Sequence, residues 1–219
     1  MIWSSTEVLN TVDCTSFSED ATTDYSVITK GQTKNGAKNV YTKMFVGGDL
    51  SNPSQSSVTA GGHVYYGSIT DPINMNFNGG KTKLSGMNSP PLDFEYYEWL
   101  ATHITAASYP GGFQVFVEAQ PRSQGCYDMY DFLGSDAQGQ NNGKTLIVFT
   151  FSDDICLTKT LDGRQFGPSV LAPFSKVTLT GAGYVDGIVI ARKFTTVSGG
   201  QSGSEQQLHG AVYQGWVVL

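Results

Sequence analysis

Gly167-Pro168-Ser169-Val170-Leu171-Ala172-Pro173 is followed by Val177-Thr178-Leu179-Thr180 and then by Tyr184-Val185-Asp186-Gly187-Ile188-Val189-Ile190-Ala191. These are short β-branched runs, each closed by Gly or Pro, with no room for a helix between them. A chain written this way winds in short rungs instead of alternating strands with crossover helices. The pattern predicts a mainly β fold, an irregular β-solenoid (β-helix).

The same signals extend outward. Val40-Tyr41-Thr42-Lys43-Met44-Phe45-Val46 reads as a strand ended by Gly47-Gly48, and His63-Val64-Tyr65-Tyr66-Gly67-Ser68-Ile69 as a strand after Gly61-Gly62. A third pair, Gly79-Gly80, precedes Lys81-Thr82-Lys83. Paired glycines permit the close backbone approach that corners between stacked rungs require. Phe113–Val117 and the apolar run Lys144–Phe151 add strands, with Ala211–Leu219 as the closing one. Residues 134–143 and Ser198–Glu205 read as loops. Residues 1–40 carry only Tyr25-Ser26-Val27-Ile28 as a strand signal. With no linker in sight, 1–219 is expected to be one domain, with the rung pattern over 40–215.

One long helix is predicted over about 92–108. Asp93 is a good N-cap with Glu95 in the first turn. Leu92, Tyr96, Leu100, Ile104 and Ala107 recur every three or four residues, with Trp99 and Tyr97 widening the stripe. Tyr109-Pro110-Gly111-Gly112 stops it. A lone amphipathic helix in a β chain must lie along a sheet face to bury its stripe.

Composition narrows the function classes. The 219 residues include 26 Gly, 11 Tyr and 12 Phe, only 15% are charged, and the net charge is −6. That composition suits extracellular β proteins, and an acidic chain repels phosphate backbones, so no nucleic-acid partner is expected. No apolar run reaches membrane-spanning length, so no membrane span is expected. Met1-Ile2-Trp3-Ser4-Ser5 lacks the basic start and apolar core of a signal peptide. A secreted or cell-surface form is therefore expected to be the mature chain with Met1 added. Cys14, Cys126 and Cys156 cannot all pair, and no Cys-x-x-Cys suggests zinc. Cys126 with Cys156 is the favoured disulfide because both flank predicted strands; three reduced thiols are the alternative.

Ordered motifs give this chain a family likeness. Val46-Gly47-Gly48-Asp49-Leu50, Gly61-Gly62-His63-Val64-Tyr65-Tyr66-Gly67, Pro91-Leu92-Asp93-Phe94, Val148-Phe149, Leu171-Ala172-Pro173, Gly187-Ile188-Val189-Ile190-Ala191 and Leu208-His209 with Tyr213-Gln214-Gly215 resemble, in order, the blocks of the choice-of-anchor A domain. Gly210 and Tyr213 stand where that pattern has Asn and Phe, and residues 1–40 lack its opening segment. The resemblance implies an irregular β-solenoid with one helix along it, similar in outline to microbial ice-binding proteins. It also implies a surface, adhesin-like context with no defined catalytic residues.

Candidate chemistry is sparse. His63, His103 and His209 are far apart in sequence and are expected to make local hydrogen bonds. Asp153-Asp154 and Asp128 with Asp131 fit no calcium repeat. Glu95 and Glu98 share the helix, with no second acidic pair placed opposite as a glycosidase requires. Ser169 is not in a nucleophile elbow. Thr-x-Thr occurs only at Thr158/Thr160 and Thr178/Thr180, which is little for an ice-binding face. Surface aromatics such as Tyr65, Tyr66, Trp99 and Tyr213 are candidates for stacking on sugars, or simply core residues.

The sequence thus predicts a non-enzymatic surface module for adhesion or matrix binding, with no catalytic, cofactor or metal site. Its partner is expected to be a matrix protein, a glycan or another copy of itself. Tyr65, Thr178 and Thr180 are the binding candidates. Ice binding and self-assembly into fibres are the alternatives.

Overall fold

The computed structural model describes residues 14–16, 25–37, 39–52, 57–70, 74–87, 91–128, 130–133, 143–158, 167–180, 184–196 and 207–219. The described strands are, in chain order, β1 (Cys14–Ser16), β2 (Tyr25–Thr29), β3 (Thr33–Lys34), β4 (Asn39–Val40), β5 (Lys43–Ser51), β6 (Val58–Ala60), β7 (Val64–Thr70), β8 (Met75–Phe77) and β9 (Lys81–Lys83). Helix α1 (Phe94–His103) follows, then β10 (Ala107–Tyr109), β11 (Phe113–Glu118), β12 (Tyr127–Asp128) and the single turn α2 (Tyr130–Leu133). The chain closes with β13 (Thr145–Phe149), β14 (Ile155–Thr158), β15 (Ser169–Thr180), β16 (Tyr184–Val185), β17 (Val189–Thr196), β18 (Gln207–Leu208) and β19 (Trp216–Val218).

Mainly β, the fold is built from three parallel ladders. The first runs β11-β13-β15-β17-β2-β5-β7-β9. The second uses β14, the later halves of β15, β17, β5 and β7, and the whole of β3. The third runs β16-β18-β4-β6-β8. Successive passes of the chain visit the ladders in the same order, as β2-β3-β4 and then β5-β6 show.

Side-chain alternation explains why the first ladder reads as continuous apolar runs. One row, Tyr65-Phe45-Ile28-Ile190-Leu171-Val148-Val117, is in register across seven strands and faces α1. The next, Met44-Val27-Val189-Val170-Ile147-Phe116, faces the interior enclosed by the ladders. A strand buried on both faces loses the in-out pattern, as parallel strands covered on both sides do. That interior also takes Leu50, Phe194, Val177 and Leu179 from the second ladder and Val40, Ala60, Val185 and Leu208 from the third.

Corners between ladders are built where the chain cannot carry a Cβ. Gly47-Gly48 does not end a strand as expected from sequence. β5 continues through it, with a register shift against β7 between Val46 and Asp49. A Cβ on Gly48 would lie 2.7 Å from the carbonyl carbon of Gly31, and one on Gly67 would lie 2.6 Å from the Gly47 oxygen. A second column, Thr42-Gly62-Gly79, stacks backbone on backbone in the same way. It splits the expected strand Val40–Val46 at Tyr41-Thr42 into β4 and β5, on different ladders.

The N-terminal part is also corrected. The sequence reading begins the rung pattern at residue 40. The structure begins it at Tyr25, because β2, β3 and β4 lie on β17, β17 and β18 in all three ladders. β2 is buried throughout and sits in mid-sheet.

Helix α1 is shorter than predicted and turned slightly. Asp93 caps it, its carboxylate accepting the Glu95 N–H at 3.0 Å. Phe94, Tyr97, Leu100 and Ala101 form its buried face, flanked by Leu92 and Ile104, while Tyr96 is only half-buried. The helix stops at His103 because the following backbone is used by the sheet. Ile104 is extended, Thr105 donates its N–H to Val218, and Ala107 pairs in β10 with Val115. β-branched Ile104 and Thr105 suit that switch.

From His209 the chain crosses the starts of successive strands. Ala211 N–H donates to Asp186 O, Tyr213 N–H to Ser169 Oγ at 3.0 Å, and Gln214 N–H to Gly143 O at 2.8 Å. Ser169, fully buried, also accepts the Ile188 N–H at 3.4 Å and donates to Ala211 O at 3.4 Å. Val212, Tyr213 and Val217 enter the layer between helix and sheet with Leu219 against them, so the apolar end is docked through Val217 and Leu219 while Trp216 stays exposed. Residues 134–142 and 198–205, read as loops, lie outside the described residues, as does Thr160.

Two substitutions test this architecture by urea or thermal unfolding. Gly67→Ala places a methyl against the Gly47 carbonyl and is expected to cost about 1–3 kcal/mol, roughly 2–12 °C in Tm; Gly86→Ala, which meets nothing within 4 Å, leaves stability nearly unchanged. Ser169→Ala strands buried backbone donors and is expected to cost about 1–3 kcal/mol, whereas a neutral result would mean that the closing segment is not held there.

Candidate functional site

The outward face of the second ladder is an ordered polar surface defined by register. Its strands alternate inward apolar with outward polar residues, most clearly in β15, where Val177 and Leu179 are buried and Lys176, Thr178 and Thr180 point out. Register then builds two outward rows. One pairs Lys176 with Lys193 and Asp49 with Ser68, and Asp154 and Gln32, one residue before β14 and β3, continue it. The other is Cys156-Thr178-Thr195-Lys34-Ser51-Thr70. Thr158 and Thr180 begin a third. Neighbouring strands stand about 4.8 Å apart, so each row is a regularly spaced line of polar groups.

The ends of this face are engaged and its middle is not. Lys176 Nζ pairs with Asp154 at 3.1 Å. Asp49 accepts from the hydroxyls of Ser68 and Thr70, both at 2.8 Å. Thr180 donates to Leu157 O at 3.2 Å. Between them, Gln32, Lys34, Thr178, Lys193 and Thr195 make no side-chain hydrogen bond or ion pair among the described residues. Gln32, Lys34, Lys176, Lys193 and Thr195 line a half-open depression of about 280 Å³. Lys176 and Lys193 are direct register neighbours, an arrangement that like-charge repulsion penalises by a few tenths of a kcal/mol or more, about 0.2–1. Three lysines thus share a patch on a chain of net charge −6.

Of the binding candidates read from sequence, Thr178 and Thr180 lie on this face. Tyr65 does not. It packs at the edge of the layer under α1, its ring 4.8 Å from that of His63. Alternation places it there: Tyr65 is in register with Phe45, whose row faces the helix. Sequence reasoning missed Gln32, Lys34, Lys176, Lys193 and Thr195. Alternation in Lys176-Val177-Thr178 and Lys193-Phe194-Thr195 marks outward positions, but nothing local shows that Lys34 stands beside Thr195, since their strands are far apart in sequence.

Other candidate groups stand apart from this face. His63 contacts Gly79 O at 3.0 Å and Thr82 Oγ1 at 2.8 Å. His103 contacts Trp99 O at 2.8 Å and stacks on the Trp99 ring. His209 Nδ1 lies 2.6 Å from the buried Asp186 carboxylate, with Tyr41 against its ring edge. Among the described residues no three His, Cys, Asp or Glu side chains are grouped as metal ligands. Asp131 accepts from Arg122 at 2.8 Å and from the Asp128 N–H at 2.6 Å. Burial opposes its ionisation, but those hydrogen bonds and the Arg122 charge hold its carboxyl below the usual range. Glu98 of α1 pairs with Lys30 at 2.7 Å across the corner.

Cys126 and Cys156 are joined by a disulfide with Cα atoms 4.5 Å apart. It ties the loop before β12 to β14, the strand that β12 pairs with at one end of the second ladder. Arg122 braces the same loop, donating to Cys126 O at 3.1 Å and lying 4.5 Å from the Tyr127 ring centroid.

A family model described as "Putative Ice-binding-like adhesive domain" matches residues 123–204. The match supports an adhesin-like surface domain; it names a different family from choice-of-anchor A, which it does not support. The matched stretch supplies the disulfide, Lys176, Thr178, Thr180, Lys193 and Thr195 of the face, while Gln32 and Lys34 come from outside it. No curated protein and no solved structure shows significant similarity to the chain. No helix among the described residues is long and apolar enough to cross a membrane.

Reducing the disulfide is expected to lower stability by about 2–4 kcal/mol, as for a loop of this length. Thermal unfolding with and without a phosphine reductant measures it; equal Tm values would show that the Cys126–Cys156 bridge contributes nothing.

Proposed function

We propose that this chain is a non-enzymatic, extracellular adhesive module, built as an irregular β-solenoid with α1 packed along one side. Its outward second-ladder face engages a macromolecular surface. The observation that carries the reading is that face itself: polar side chains in register across six strands, with a half-open depression of about 280 Å³ between them. Macromolecular recognition spreads over area, whereas small-molecule and catalytic sites concentrate their groups in concave pockets. The family match over residues 123–204 supports adhesion. Successive passes that visit three ladders in constant order support the solenoid.

Ice binding is the weaker reading. Thr178 and Thr195 do stand side by side, but Lys34, Lys176 and Lys193 interrupt the threonines, so the face lacks uniform ranks of one short side chain. Fibre formation is disfavoured by the ends of the stack. β9 is a short edge carrying exposed Lys81 and Lys83, and β10 covers the other end as an antiparallel strand. Both are devices that blunt edge pairing.

Binding of the chain to immobilised matrix proteins and glycans is expected to saturate. The Thr178→Tyr/Thr195→Tyr variant is expected to lose at least about tenfold in affinity, as loss of central interface contacts does. Absence of binding across the panel, or thermal hysteresis at high micromolar protein that those substitutions abolish, would replace adhesion with another reading.

A further inference from the structure

We infer that the partner is a carboxylated polysaccharide, an extended uronate-bearing chain lying across β15, β17 and β3; this rests on the adhesive reading above.

Charge is the first ground. Lys34, Lys176 and Lys193 fall on three adjacent strands, and only Lys176 has an acidic partner among the described residues. The molecule is otherwise acidic, with net charge −6. A polyanion is therefore attracted at this patch and repelled by much of the remaining surface, which fixes where it docks. Lys176 and Lys193 are held in register despite their repulsion, and an anionic group between them turns that repulsion into a shared attraction.

Hydrogen-bonding capacity is the second ground. Thr178, Thr195 and Gln32 surround the lysines with hydroxyl and amide groups that have no internal partner among the described residues. These groups complement sugar hydroxyls, which are both donors and acceptors.

Shape and the absence of stacking surfaces complete the case. The depression is half-open and lined from three strands, which suits a segment of extended polymer. Strands repeat at about 4.8 Å, and a pyranose in an extended chain advances by a similar distance, so consecutive sugars meet consecutive strands. Single-stranded nucleic acids bind through aromatic platforms as well as charge. The exposed large aromatics Tyr41, Trp99 and Trp216 (55%, 45% and 55% exposed) belong to other surfaces, and the two central rows contain no ring.

Titration of the chain with polygalacturonate and with alginate, across a salt series, tests the inference. Fully methyl-esterified polygalacturonate serves as the neutral backbone control and inorganic polyphosphate as the sugar-free polyanion. At least one uronate is expected to bind, more weakly as salt rises, with the ester silent. The Lys34→Gln/Lys176→Gln/Lys193→Gln variant is expected to bind at least about tenfold more weakly, from about two- to fivefold per lysine. Its Tm should stay near that of the parent, because losing the exposed Lys176–Asp154 pair and relieving the Lys176–Lys193 repulsion are both small and opposite in sign. Thr178→Val/Thr195→Val should weaken uronate binding while leaving polyphosphate binding unchanged. Polyphosphate binding as tight as uronate, equal binding of the ester, or an unaffected lysine variant would overturn the inference. If both uronates fail while the chain still adheres to other panel surfaces, the partner class falls and the adhesive reading stands.

Discussion

The three ladders are continuous through one non-local contact, the parallel pairing of β17 and β18 with β2, β3 and β4. Within the three ladders every other pass lies on the pass next to it in the chain; the antiparallel pair β1-β19, which also joins the chain's ends, stands outside them. Where β17 lies on β2, Val189-Ile190-Ala191 meets Val27-Ile28-Thr29, and the two ends of the chain become adjacent layers of one stack. The join is reinforced around its rim. Ser26 Oγ lies 2.6 Å from Thr42 Oγ1 and donates to Leu208 O at 3.3 Å, and Gly36 N–H donates to Thr196 Oγ1 at 2.6 Å. Without it, each half would expose an edge of unpaired backbone donors and acceptors, which aqueous proteins avoid.

That join dictates the helix. Chain order places β9 at one end of the first ladder and β11 near the other, so the link between them must travel along the stack. α1 occupies that route and covers the apolar row from Phe45 to Val148 as it goes. The closing segment from Ala211 to Val218 uses the same side, its backbone donors and carbonyls satisfied by Asp186, Ser169, Gly143 and Thr105. Helix and closing segment therefore bury a sheet face that would otherwise be open. Among the described residues the second ladder has no such cover, and its outward residues are polar.

Much of this was legible from residues that carry their own geometry. Asp93 announced the helix start because a carboxylate two residues before Glu95 can accept its N–H. The glycine pairs announced corners because only they let backbones stack. Their role inside β5, however, was hidden, since a glycine pair that bends a strand looks like one that ends it. The helix end was hidden for a related reason: Ile104 and Ala107 keep helical spacing while their backbone is used by β10 and the Thr105–Val218 bridge. In the sequence β2 stands as an isolated strand signal because the partners that bury it lie across the non-local join. The lysine patch was unreadable on the same account. Lys176 and Lys193 could be placed outward by alternation, but Lys34 joins them only through the pairing of β17 with β3.

The outward polar face and the folding constraint are thus the same feature seen from two sides. Lys34 and Gln32 belong to the N-terminal pass, while Lys176, Lys193, Thr178 and Thr195 belong to the C-terminal ones. The patch exists only when the two halves have met in register. A slip of one residue at that join would turn Lys34 inward and Thr33 outward, since side chains alternate with period two. Thr33, buried and within 2.8 Å of Thr29 Oγ1, is one of the contacts that forbids the slip. Register at the join therefore sets both the closure of the core and the composition of the outward face.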